Sequence, residues 1–359
     1  MTDVAAIAGT DPGRVRATLA DSEPLPGTVG FAGSLDGLLV RDVLGRWPLF
    51  SESGDPARWS HDPADLGDPA RVPAGHVRTP AGDERVWSLP DPAPVEDGVG
   101  AVREAVDRTL AETDSEDIAV AFSGGVDSAL LAARLDVPLY VAGFPDSHDI
   151  EAARSGARAL GRELRVLELD HGALEAAVPR VVRATGRTNA MDIGIALGLG
   201  LVAERVRADG FERLALGQGA DELFGGYAKV ARAPEDPRVE AETVRGARRE
   251  LVRSLPGQLE RDRLTLRAAG VEAVTPYLHD RVVRAALRLD GDALVHRSER
   301  KWAFRLAARR WLPDRLAFRG KKAIQYGSLV SRELDRLARQ AGYKRRIDDH
   351  VTRYVESLV

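Results

Sequence analysis

The residues best suited to chemistry are Ser123-Gly124-Gly125-Val126-Asp127-Ser128. They fall between an apolar run, DIAVAF at 117–122, that reads as a buried strand, and ALLAARL, which has helical spacing. Two glycines allow a sharp turn and bring backbone N–H groups close to an anion. The following helix directs its free N–H groups and partial positive charge to the same place. Ser123 and Ser128 add hydroxyl donors. Asp127 repels phosphate on its own, so a carboxylate here implies a bridging divalent cation, with Mg²⁺ the natural choice. No GK[ST] follows, so the spacing is not that of a Walker loop. The plainer alternative is a strand-turn-helix with a Ser or Asp cap, and the bare letters SGG fit it equally well.

Such a loop has to be held by a sheet. PLYVAGF at 138–144, RELRVLELD at 162–170 and RLALG at 213–217 read as further strands, and 100–112, 149–160 and 191–208 read as helices. The alternation predicts an α/β fold, with a parallel sheet covered by helices on both faces. From about 239 onward the spacing is mostly helical and rich in Arg. Residues 1 to about 95 are short apolar runs punctuated by Gly, Pro and Asp, which predicts β-strands and turns. The proline-rich PDPAPVED marks a boundary, giving domains 1–97 and 98–359.

Composition narrows the class. The 359 residues are 44% hydrophobic and 30% charged, values typical of a soluble globular protein. A net charge of -4 gives no global pull toward nucleic acid or an anionic membrane. With no cysteine, disulfides, thiolate zinc sites and cysteine nucleophiles are excluded. No apolar run nears the ~20 residues of a membrane span. The first residues lack a signal peptide's basic start and apolar core, so a cytoplasmic enzyme is expected.

SGGVDS resembles the PP-loop of adenine-nucleotide α-hydrolases, and the chain resembles the asparagine synthetase and β-lactam synthetase family in particular. Four further segments carry the likeness in order. Gly143-Phe144-Pro145-Asp146-Ser147-His148-Asp149 is similar to the segment lying against adenine and ribose, which implies nucleotide contacts from Gly143 and Asp149. Leu216-Gly217-Gln218-Gly219-Ala220-Asp221-Glu222-Leu223-Phe224-Gly225-Gly226-Tyr227 is similar to a GxGADExFGGY signature; it implies that Gly217 lines the nucleotide site and that Asp221 shares Mg²⁺ with Asp127. Two acids capping two helices is the competing explanation. Arg261-Asp262-Arg263 with Gly270 through Asp280 resembles a DR…GxExRxPFLD run, and Glu272 within it either orients substrate or makes a structural salt bridge. Lys301, Leu312-Pro313-Asp314 and Arg319-Gly320-Lys321-Lys322 resemble a K…R…LP…xRxK ending. The family's catalytic lysine matches Lys321 best, with Lys322 as its competitor and a surface role as the alternative.

Two departures bear on function. Asparagine synthetases start with a catalytic Cys in a CGIAG-like stretch, and the similar residues here are Ala5-Ala6-Ile7-Ala8-Gly9. Arg41-Asp42-Val43-Leu44-Gly45-Arg46-Trp47-Pro48-Leu49 resembles the same domain's RDPLGxxPL turn, so residues 1–97 look like a short Ntn glutaminase-like domain without its nucleophile. Thr2 is a poor replacement, three positions too early. Gln218 stands where the family has Glu or Tyr, in a role that prepares the attacking amine, and a neutral amide cannot take a proton.

The resemblance therefore implies an ATP- and Mg²⁺-dependent amide-forming ligase, with asparagine biosynthesis as the family's reaction. It would adenylate a small-molecule carboxylate for attack by ammonia or an amine, without hydrolysing glutamine. The expected catalytic set is Lys321, Glu272 and Gln218, and the nucleotide set is Ser123, Gly124, Gly125, Asp127, Ser128, Gly143, Asp149 and Gly217. Asp127 and Asp221 are the expected metal ligands. A homodimer is compatible with this reading; nucleic-acid and membrane partners are not expected. The alternatives are lactam closure or nucleobase modification by the same loop, or a non-catalytic nucleotide-binding homologue. Base modification predicts a basic face, for which 245–267 and Lys344-Arg345-Arg346 are the only hints.

Overall fold

The computed structural model describes residues 5–233, 241–320, 329–344 and 349–359. The chain divides into two compact units. The first comprises residues 1–113, 217–260 and 275–310, and the second 114–216, 261–274 and 311–359.

The second unit is built on a five-stranded parallel sheet. Its order is Leu164–Glu168, Leu139–Gly143, Ile118–Ala121, Arg213–Ala215 and Glu272–Val274. In the central strands both sets of alternate residues are buried: Ala119 and Tyr140 on one face, Ile118, Val120, Leu139 and Val141 on the other. That is why these runs read as continuously apolar rather than alternating. Ala119, Tyr140, Leu214 and Ala273 pack with Val202, Ala203 and Val206 of helix Ala190–Ala208 and with Leu266. Helices Val126–Arg134 and His148–Leu160 pack against the two strands they follow. A separate apolar cluster joins Leu174, Val178 and Val181 of helix His171–Thr185 to Leu334 and Tyr354 of helices Val330–Gln340 and His350–Ser357.

The α/β fold and the four expected strands are present. The sequence reading missed two elements. One is the fifth strand, only three residues long. The other is helix His171–Thr185, whose apolar spacing is interrupted by Pro179.

The first unit contains a two-stranded antiparallel sheet, Val295–His296 with Glu299–Arg300, and two larger antiparallel sheets. One joins Ala6–Ala8, Ala32–Leu35, Leu38–Arg41, His76–Thr79 and Gly82–Arg85; the other joins Asp55–Ser60, Phe50–Glu52 and Pro69–Arg71. Residues 1–97 lie wholly in this unit, and the expected boundary falls inside it, in the loop before helix Gly98–Ala111.

A buried ionic network ties this β region to residues 275–310. Arg46 donates from Nε to Asp42 (2.9 Å) and from Nη1 to Asp280 and to the Leu278 carbonyl (both 2.7 Å). The other oxygen of Asp280 accepts from the backbone of Gly27 and Thr28 and from the Thr28 hydroxyl. Arg41, Asp42, Arg46 and Asp280 are at most 1% exposed. Pairing of opposite charges makes such burial tolerable, although Arg46 Nη2 is buried without a hydrogen bond.

Four arginines of helix Val244–Ala268 are engaged within the chain. Arg248 is buried and donates to the Ala286 carbonyl (2.7 Å) at the end of helix Asp280–Leu287. Burial, then the neighbouring Arg245, lowers its pKa to about 10. Arg249 donates to the Pro90 carbonyl (2.8 Å), and Arg245 to the Pro92 carbonyl and Asp91. Arg261 is held between Asp192 and Asp262 (both 2.7 Å).

Candidate active site

The loop 123–128 leaves the carboxyl end of strand Ile118–Ala121, the edge where ligands of open parallel sheets bind. Gly124 has φ +73°, and a Cβ there would lie 2.4 Å from the Ala152 carbonyl oxygen, so no other residue fits. Gly125 caps helix Val126–Arg134 without any side-chain hydrogen bond. The first N–H groups of that helix are thus left without a capping side chain, the arrangement an anion completes. The Ser128 hydroxyl is spent on the loop itself: it accepts from Ser123 N (3.2 Å), approaches Ser123 Oγ (3.3 Å) and donates to Gly125 O (3.3 Å). Asp127, in the first helical turn, is 4% exposed.

Gly143 ends the adjacent strand, Leu139–Gly143, on the same edge. Its own notional Cβ would clash with Ser147 Oγ at 2.6 Å. Buried Ser147 caps helix His148–Leu160, accepting from Ile150 N, and Asp149 lies in the first turn of that helix, half-buried. The second unit therefore brings together Ser123, Gly124, Gly125, Asp127, Ser128, Gly143 and Asp149 along one sheet edge. It does not bring Glu272 there. That residue is exposed and pairs with Arg213 at the amino end of the edge strand, two positions before Val274, which is level with Ala215 and Val120.

The first unit holds the other signature. Gly217 and Gln218 are half-buried. Gly219, with φ +88°, turns the chain into the short helix Ala220–Phe224, which carries Asp221 and Glu222 in its first turn. Asp221 is paired with Lys301, Nζ to Oδ1 2.6 Å. Glu222 is buried and accepts from the Tyr227 hydroxyl at 2.6 Å. Burial, against the partial relief of the Tyr227 bond, raises its carboxyl above the ordinary range, and Asp221 adds to the rise. Lys301 and Glu222 are functional candidates that the sequence reading quoted within its family segments but assigned no role in the site. Lys321 and Lys322 lie outside the described residues.

The donor set suits Mg²⁺ on a phosphate chain. That ion takes one or two carboxylates and keeps its other positions for water and phosphate oxygens, so a cage of three acids is not required. No cluster of three or more metal-binding side chains occurs among the described residues. Asp127 in the second unit and Asp221 in the first are each a carboxylate of that kind.

A family model described as asparagine synthase matches residues 100–255 and 229–356, most of the chain. The chain belongs to the asparagine synthase family. A Methanocaldococcus jannaschii protein, provisionally named a glutamine-hydrolysing asparagine synthetase, is 30% identical over 281 residues, covering 68% of this chain and 52% of its own. Asparagine synthetase B of Escherichia coli is 24% identical over 249 residues, 63% of this chain and 44% of its own. This chain thus spans about half the length of the curated relatives it matches. The NH3-dependent NAD synthetase of Campylobacter jejuni aligns at TM-score 0.31 and 12% identity, covering 73% of this chain and 91% of that one. Membership of the asparagine synthase family supports an ATP-using ligase or a closely related chemistry.

Proposed function

We propose that this asparagine synthase family member is an ATP-dependent amide-forming ligase that adenylates a small-molecule carboxylate and takes nitrogen from ammonia or an amine, not from glutamine. The observation carrying this reading is the uncapped helix start after Gly124-Gly125, a ready seat for a pyrophosphate group at the ligand-binding edge of the sheet.

In the first step a substrate carboxylate oxygen attacks the α-phosphorus of ATP. The α–β bridging bond breaks, and pyrophosphate departs into the nest of N–H groups at 124–128. An amine nitrogen then attacks the acyl carbon, AMP leaves with the bonding electron pair, and the nitrogen loses a proton. Asp127 and Asp221 are the residues assigned to Mg²⁺, which would supply charge neutralisation on the phosphate chain. Gly143 and Asp149 are assigned to the adenine and ribose side, and Gly217 is assigned to nucleotide contact. Lys321 is the cation assigned to charge building on the α-phosphate and the tetrahedral centre. Gln218 can orient the amine by hydrogen bonding but cannot deprotonate it. Glu272, at the amino end of its strand, is given no role in this scheme.

Ala5 in the place of the family's Cys supports the loss of glutamine hydrolysis. So does the packing beside it: a Cβ on Gly9 would meet the Gly30 carbonyl at 2.3 Å and Trp47 Nε1 at 2.4 Å. Residues 1–97 then serve as a structural domain on 98–359. No helix among the described residues is long and apolar enough to cross a membrane, which is compatible with the proposed cytoplasmic setting. A homodimer is likewise compatible. The engaged arginines of 245–261 weigh against the alternative of nucleobase modification on RNA.

The test is product analysis with ATP-Mg²⁺, candidate carboxylates such as aspartate, and either ammonium or glutamine. AMP and pyrophosphate with ammonium, and no ammonia released from glutamine, is the expected result. ADP as product, or glutamine matching ammonium, would contradict it.

A further inference from the structure

His171 stands at the carboxyl edge of the parallel sheet, within the second unit. Strand Leu164–Glu168 runs beside Leu139–Gly143 with Glu168 level with Gly143, so the residues after each strand leave the sheet side by side. Leu169 N donates to the Gly143 carbonyl at 2.9 Å and carries that pairing one residue further. The rings of Phe144 and His171 then approach to 5.6 Å. The His171 side chain is 36% exposed, and its Nε2 lies 2.9 Å from Oε2 of Glu333, whose side chain is 6% exposed. Arg332 donates to the other Glu333 oxygen at 3.1 Å, and Arg336 lies 3.6 Å from Oε2. Burial alone would raise the Glu333 carboxyl; the hydrogen bonds from His171 and Arg332 outweigh it and hold the group below its ordinary range. An ionised carboxylate can only accept, so the hydrogen of a neutral His171 sits on Nε2 and Nδ1 keeps a lone pair. Among the described residues, no other hydrogen bond reaches this ring.

We propose that His171 is a specificity-determining residue that accepts a hydrogen bond at Nδ1 from the exocyclic amine of adenine. The proposal rests on the ATP reading of this edge, with Gly143 and Asp149 on the adenine and ribose side. Adenine presents an N–H₂ donor from that amine, and a lone pair held in place matches it. Guanine presents a carbonyl acceptor at the same position, so two lone pairs would face each other. Glu333 does not touch the base; as a positioning residue it fixes the tautomer of His171 and the orientation of its ring. Stability alone does not require a buried carboxylate to hold a partly exposed ring, because apolar residues often replace buried ion pairs without loss.

The test is calorimetric binding of two nucleotides to the full chain in the presence of Mg²⁺: ATP, and purine riboside triphosphate, which lacks only the exocyclic amine. The wild-type protein should bind ATP roughly three- to tenfold tighter than the analogue, the worth of one hydrogen bond. His171→Leu should lower ATP affinity by that factor, leave analogue affinity unchanged and so erase the difference. Glu333→Gln is the second variant, informative if the Leu variant folds poorly. Its neutral amide can donate as well as accept, which releases the tautomer of an intact His171 and should shrink the preference for ATP. A wild-type protein that binds both nucleotides equally, or a preference that persists unchanged in both variants, would overturn the inference and leave the ATP reading standing. A wild-type protein that binds neither nucleotide would overturn the ATP reading and this inference with it.

Discussion

The β region of the first unit and the loop edge of the second use their polar groups in opposite ways. In the β region, Arg41, Asp42, Arg46 and Asp280 are buried, and each is hydrogen-bonded to a neighbour or a backbone group. At the loop edge, the helix starting at Val126 has no side-chain cap, and Gly124 can be nothing but glycine. The first arrangement spends its charge on holding a fold together; the second leaves backbone donors to a ligand. The comparison teaches that polar groups paired within the chain stabilise a fold, while an uncapped helix start leaves donors open to a ligand.

The comparison can be broken by exchanging the two kinds of effect. The largest expected effect is on turnover. Asp127→Ala should lower ATP-dependent pyrophosphate release by about 100-fold or more, since electrostatic groups at a transferring phosphoryl centre are worth that much, while the thermal midpoint stays close to wild type. Asp280→Ala should do the reverse. It leaves buried Arg46 with Asp42 as its remaining carboxylate partner and should cost roughly 3–5 kcal/mol in denaturant unfolding, with nucleotide affinity retained by the folded fraction. Arg248→Met should cost about 1–3 kcal/mol by leaving the Ala286 carbonyl without its donor, again without a change in nucleotide affinity.

The smallest effect is a pH dependence. His279 caps helix Asp280–Leu287 by accepting from Arg281 N at its Nδ1. Burial, and next the Arg281 charge, lowers its pKa below the ordinary 6.5. The unfolded chain therefore takes up a proton near pH 6.5 that the native state refuses, and stability falls as pH drops below that value. His279→Asn, which keeps a capping acceptor, should flatten that part of the stability profile. An unchanged profile would remove His279 from the account.

Much of the second unit could be read in advance, because strands buried on both faces give continuous apolar runs bounded by glycines, as in 117–125 and 138–143. The loop at 123–128 was legible for the same reason: it sits where such a run gives way to a helix. Helix His171–Thr185 was not, since Pro179 disrupts its pattern, nor was the three-residue strand holding Glu272. Glu272 shows the limit of motif reading, as the letters match while the strand register sets the residue at the amino end of the sheet. Lys301 and Arg46 pair with partners 80 and 234 positions away, and no local pattern encodes those pairings. The arginines at 245–261 looked like a surface charge run, but carbonyls and carboxylates in the folded chain take up four of them.

The central claim is cleavage of ATP between the α- and β-phosphates to activate a carboxylate. Carboxylate-dependent exchange of labelled pyrophosphate into ATP tests it most directly, because only a reversibly formed acyl-adenylate supports that exchange. The account predicts exchange that requires Mg²⁺ and a carboxylate and disappears in Asp127→Ala. ATP turnover to ADP and phosphate, with no label entering ATP for any carboxylate, would contradict it.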